Sequence, residues 1–149
     1  MPAKTSGFAN NLLLLLFNND DLLAIGDGGG LLQSVGEGSL YVSFHTADPS
    51  GGNQTTSECA YTPYARQGVA RNALGSGWAV SGATVDNQAV ITFPEASGAT
   101  PETITHFGIG TAVSGAGVLL YSGTVDSDLV VNVGVQPELA VGDCNITES

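Results

Sequence analysis

The 149-residue sequence predicts a mainly β protein: an antiparallel β-sandwich or jelly-roll-like domain with one N-terminal α-helix. Three observations predict it. Residues 8–17 contain no Gly, Pro or β-branched residue to break a helix. From residue 40 onward, apolar residues recur with period two, the spacing of half-buried strands. Turn dipeptides such as Ser81-Gly82, Ser97-Gly98, Ser114-Gly115 and Ser122-Gly123 then punctuate the chain at intervals short enough for a sandwich or barrel.

Taken in order, Ser6 is the expected helix cap. Five consecutive leucines, 12–16, place apolar side chains all round the helix, so it needs burial on most sides. That burial comes either from the core or from another subunit. Phe8, Leu12, Leu13, Leu15, Leu16 and Phe17 are therefore the candidate subunit-contact residues. Residues 18–38 follow as a long connection with Asp27-Gly28-Gly29-Gly30 and Gly36-Glu37-Gly38, and Leu31-Leu32 is its expected anchor. Connections of this length are often binding loops or disordered. The chain thus divides into a helix and glycine-rich arm, 1–38, and a β-sandwich domain, 39–149.

In the first strand Leu40, Val42 and Phe44 point inward, while Tyr41, Ser43 and His45 form the polar face. A polar loop, 47–57, comes next. Further strands are expected at 64–70, 78–80, 89–93, 103–108, 118–122 and 129–133, with a turn at Asp86-Asn87 and a short edge at 138–141.

Composition narrows the function. Leu, Ile, Val and Phe make up about 26% of the chain, above the ~20% below which chains stay disordered. Three cations, Lys4, Arg66 and Arg71, face fourteen acids, giving a net charge of −11. Three cations cannot neutralise a row of phosphates or form a polybasic membrane patch, so neither nucleic acid nor membrane is an expected partner. The apolar run 12–17 is far shorter than the ~20 residues of a membrane span. Lys4 stands alone before it, and asparagines flank it, so no targeting signal is read and assembly in a cytoplasm is expected. Cys59 and Cys144 form no CxxC pair, which removes the usual structural zinc site and redox dithiol. They read as small buried hydrophobes, with a disulfide as the alternative.

No catalytic constellation stands out. There are two histidines, His45 on a polar strand face and His106 in a strand-like setting, and no G-x-S-x-G elbow. The acids are spread over loops, as on any solvated surface. Asp20-Asp21 and Asp126-Ser127-Asp128 lack the calcium-loop pattern. Residues 26–30, GDGGG, lack the ending of a phosphate loop. The expected catalytic, cofactor-binding and metal-ligating residues are therefore none, and no cofactor is expected. Arg66 carries the sharpest local expectation: with Asp48 and Glu58 it pins the 47–63 loop to the sheet.

Residues 40–49, LYVSFHTADP, are followed by Glu58-Cys59-Ala60-Tyr61, Tyr64-Ala65-Arg66 and Trp78. Then come AVITFP at 89–94, THFGIG at 105–110 and GVLLYSG at 117–123. In this order the segments resemble a family of tailed-bacteriophage structural proteins, over roughly residues 40–148. Its members are described as capsid decoration (cement), minor tail or tail-fibre proteins. The chain departs from the pattern in its longer, glycine-richer 18–38 connection and in Ser50, where Gly is common. The resemblance implies a non-enzymatic virion protein. The leading expectation is a decoration protein on the outer capsid surface, assembled in the host bacterial cytoplasm. Its partners would be the major capsid protein and itself, as a homotrimer. The alternative is a tail-tip, baseplate or tail-fibre protein that recognises the host surface.

Overall fold

The computed structural model describes residues 3–149; Met1 and Pro2 of the arm lie outside the described residues. One helix, α1 (Ser6–Phe17), precedes nine strands. The strands are β1 (Ser39–His45), β2 (Gln67–Ala70), β3 (Trp78–Ser81), β4 (Thr84–Asn87), β5 (Ile91–Thr92), β6 (Glu102–Gly110), β7 (Leu119–Val131), β8 (Glu138–Leu139) and β9 (Ile146–Thr147). All pairings are antiparallel. They make a four-stranded sheet in the order β2-β1-β6-β7, a three-stranded sheet β3-β4-β9 and a β5-β8 pair. The expected class, mainly β with a single N-terminal helix, is the one observed.

The cap is the residue before the expected Ser6, which is instead the first residue of the helix. Thr5 is the N-cap, and its hydroxyl accepts from the Phe8 N–H at 3.3 Å. The helix buries one face, Ala9, Leu13 and Phe17, while Phe8 is exposed and Leu12, Leu15 and Leu16 are half-buried. Phe17 meets Trp78 of β3 edge-on at 4.9 Å and Tyr121 of β7 at 5.7 Å, so it joins two sheets. The last turn contains no basic residue. Arg71, just after β2, supplies the cation instead, donating to the Leu15 and Leu16 carbonyls at 2.7 Å each. These are orphan carbonyls at the negative end of the helix dipole.

One cluster of buried residues draws on α1 and on every sheet, including Val42, Phe44, Trp78, Phe93, Ile104 and Ile109. Phe44 stacks on Phe93 at 4.0 Å. The two cysteines belong to this cluster as free thiols. Asn87, 1% exposed, spends its amide on the Ala89 and Ala140 carbonyls and on the Gly142 and Cys144 N–H groups. The last three of those bonds hold the C-terminal segment against β4. Among the described residues, the Trp78 indole N–H is the one buried side-chain polar atom without a partner.

Several expected boundaries move. The segments 118–122 and 129–133 are one strand, β7, and Ser122-Gly123 lies inside it. A side chain at 123 would stand 2.9 Å from the Phe107 ring, so this glycine is a slot for a neighbour and not a turn. Asp86-Asn87 belongs to β4 and is not a turn; the hairpin turns at Gly82, with φ +60. In the 18–38 connection the buried anchor is Leu22, bridged to Leu31, whereas Leu31 and Leu32 themselves are exposed.

Candidate functional site

The most elaborate polar construction in the molecule lies where the 46–66 loop meets the loop between β6 and β7. Arg66 is 7% exposed and aims four of its N–H bonds at fixed acceptors. Nε and Nη2 form a two-pronged pair with Glu58, at 2.6 and 2.7 Å. Nη1 donates to the Ala112 carbonyl at 2.8 Å and Nη2 to the Gly115 carbonyl at 2.7 Å. Such forked geometry is available to arginine and not to lysine. Tyr64 reinforces it: its hydroxyl donates to Glu58 at 3.1 Å and accepts from the Phe44 N–H at 3.0 Å. The bond to Glu58 pushes the Arg66 guanidinium pKa upward, and burial pushes the Tyr64 phenol upward. Arg66 stays charged and Tyr64 neutral.

Asp48 is not part of this cluster. It is exposed and caps its own turn, accepting from the Ser50 N–H at 2.9 Å. Sequence spacing could not separate it from Glu58, since both flank the same loop.

Gln54, wholly buried, extends the lock in a way sequence reading missed. Its amide oxygen accepts from the Ala112 N–H at 2.9 Å, and its backbone N–H donates to the Ala116 carbonyl at 2.9 Å. A side chain at Gly110 or Gly117 would overlap the Gln54 amide. A Cβ at Gly108 would stand 2.7 Å from His45 Nε2 and 2.9 Å from Ser43 Oγ. The alternate glycines of THFGIG are therefore a trough in β6 that receives Gln54 and His45. That alternation was the available signal.

His45 corrects a second expectation. It is not on a surface: both it and Ser43 are 0% exposed, and β1 is buried on both faces from Val42 to His45. The imidazole lies 2.8 Å from the Thr56 carbonyl through Nδ1 and 2.8 Å from Ser43 Oγ through Nε2. A carbonyl only accepts, so Nδ1 carries the proton and Nε2 accepts from the Ser43 hydroxyl. Burial depresses the His45 pKa below its ordinary 6.5, which keeps it neutral. The Ser-His pair resembles a hydrolytic dyad in its distance alone. It has no solvent access, and a backbone carbonyl stands where a carboxylate would orient the base. Its visible work is to hold β1 to the loop.

The Glu102 carboxylate, from β6, takes the Ala60 and Tyr61 N–H groups at 2.9 and 3.0 Å, fixing the loop's far side. A shallow cavity of about 270 Å³ remains between Glu58, Tyr64, Arg66, Val113 and Gly115. Among the described residues no group of three His, Cys, Asp or Glu side chains is arranged to hold a metal ion. Asp20, Asp21, Asp126 and Asp128 are exposed. No described helix is long and apolar enough to cross a membrane.

All three cationic side chains are engaged within the chain. Arg66 pairs with Glu58, Arg71 caps α1, and Lys4 meets Glu148 at 2.7 Å. The remaining surface charge is acidic. A family model described as Podophage GP4 fiber I protein gp80 matches residues 37–147. The chain belongs to this family. It is accordingly a phage structural protein. No curated protein matches it. The gp80 match runs from just before β1 to the end of β9 and takes in the whole Arg66 lock; α1 and the following connection up to residue 36 lie outside it.

Proposed function

We propose that this chain is a non-enzymatic structural subunit of a virion fibre, in which the locked β domain serves as a rigid acidic module. The observation that carries this reading is the match of the gp80 fibre family over residues 37–147. The geometry agrees with it. The polar groups that resemble catalytic parts, Ser43, His45, Glu58 and Arg66, are turned inward and bonded to one another or to backbone. An exterior whose cations are all engaged internally suits a position facing solvent, away from packaged DNA.

Decoration of the outer capsid, as a homotrimer contacting the major capsid protein, is the second reading. The helix α1 favours it, because Leu12, Leu15 and Leu16 are only half-buried and offer apolar surface that a neighbouring subunit would cover. Counting copies of this chain against the major capsid protein in purified particles separates the two. A few copies per particle, clustered at one vertex under immunogold labelling, are expected for a fibre. Hundreds of copies spread over the shell would overturn the fibre reading in favour of decoration.

A further inference from the structure

The exposed apolar side chains are unevenly distributed. Leu23, Ile25, Leu31, Leu32 and Val35 are 64, 38, 47, 68 and 112% exposed, all within thirteen consecutive residues. Yet this segment is not loose. The Asn19 side chain mimics a backbone pairing with Ser34, accepting from its N–H at 2.9 Å and donating to its carbonyl at 3.0 Å. Leu22 and Leu31 exchange both backbone bonds at 2.9 Å, and Asp21 accepts from the Gln33 N–H at 2.7 Å. Gly30, at φ +65, closes the tip, where a Cβ would overlap the Leu22 carbonyl. Arg71 fastens the base through Ser34 and Glu37. Residues 19–35 are therefore a tongue organised by hydrogen bonds, with most of its large apolar side chains facing out.

Water-facing apolar groups grouped this way on an ordered loop mark an interaction surface. Two facts select the occupant. The tongue lies outside the segment that the gp80 family model matches, so the matched fold does not account for its exposed apolar side chains. It also carries Asp20, Asp21 and Asp27, with Glu37 at its base, while Lys4 and Arg66 are paired elsewhere and Arg71, at that base, is already spent on carbonyls and a serine hydroxyl. Two copies meeting here would bring like charges together with no counter-charge to offer. We infer that the 19–35 tongue docks into an apolar groove with a basic rim on a different virion protein, and that it is the attachment element of the chain. This rests on the virion reading but on neither of its two locations.

The test complements a phage lacking this gene with variants and counts copies per purified particle. Leu23→Ser combined with Leu32→Ser is expected to lower incorporation by at least about tenfold. The melting temperature of the purified variant should stay at the wild-type value, since both side chains are exposed. Val141→Ser, equally exposed but within the matched domain, is expected to incorporate normally. Asp20→Lys should reduce incorporation through its reversed charge. Wild-type incorporation of the double variant would overturn the inference. So would a self-assembled wild-type oligomer, seen by sedimentation, that the double variant dissolves, because the occupant would then be a second copy. Particles containing no wild-type chain would instead overturn the virion reading itself.

Discussion

Residues 46–66 and 18–38 are connections of equal length, each fastened by one arginine, and they are built on different principles. In the first, Arg66 faces a carboxylate and two carbonyls in the interior, and Pro49, Gln54, Cys59 and Tyr61 are buried along the way. In the second, Arg71 faces carbonyls and a serine hydroxyl only, and the buried residues are Asn19 and Leu22. The neighbouring Glu58 raises the pKa of Arg66, whereas burial alone lowers that of Arg71. Hydrogen bonds are enough to give a loop a shape. Joining it to the core also takes burial, and the two loops differ in that respect.

The two loops differ most in what their arginines hold, and of the two only Arg66 holds a carboxylate. Arg66→Ala leaves Glu58 without its counter-charge and two carbonyls without donors, so a loss of about 3–5 kcal/mol is expected. Chemical denaturation measures it, and limited proteolysis should show new cuts within 46–66. An unchanged midpoint with an intact loop would remove Arg66 from its place as the pin. Gly110→Ala comes next. It drives a methyl into the Gln54 amide and is expected to cost about 1–3 kcal/mol, read in the same titration.

The same end of the molecule should respond to acid. The native state holds His45 below its ordinary value of 6.5, so the unfolded chain binds this proton more readily. The contribution is full above about pH 6.5 and is lost as pH falls below it, with a slope of at most ~1.4 kcal/mol per pH unit for one proton. Replacing His45 by Gln should flatten that part of the stability profile; an identical slope would assign the acid response to other groups. Arg71→Ala is expected to cost about 0.3–1 kcal/mol as a lost helix-end cation, and to expose 18–38 to protease while 46–66 stays resistant. Equal cleavage of both loops would end the distinction drawn between them. Smallest of all, Lys4→Ala removes a partly exposed ion pair and should change stability by no more than ~1 kcal/mol.

Much of this architecture is legible in the sequence, and the misreadings have physical causes. Leu40, Val42 and Phe44 announce β1 because they alternate. Alternation also implied that Ser43 and His45 face water, which fails because the 46–66 loop folds over that face and supplies the Thr56 carbonyl. Gly123 reads as a turn by composition but serves as a gap for Phe107, a role that only a cross-strand neighbour can reveal. β4 and β9 are four and two residues long, too short to establish a period. Glu58 stands out as a partner for Arg66 because cations are so scarce. Gln54 does not, since a glutamine in a polar loop looks like any solvated residue until its burial is known.

Cys59 and Cys144 sit in the core as free thiols, 3% and 0% exposed. Burial pushes the Cys59 pKa up to about 12 and that of Cys144 upward as well. Thiolate, the form that reacts with oxidants and disulfides, is thus withheld at neutral pH. A particle component made in a reducing cell and released into an aerated medium crosses a large change in redox potential. Through that passage this chain keeps one covalent structure, needing neither an oxidant to mature nor a reductant to persist, and alkylating reagents should mark it only after it unfolds.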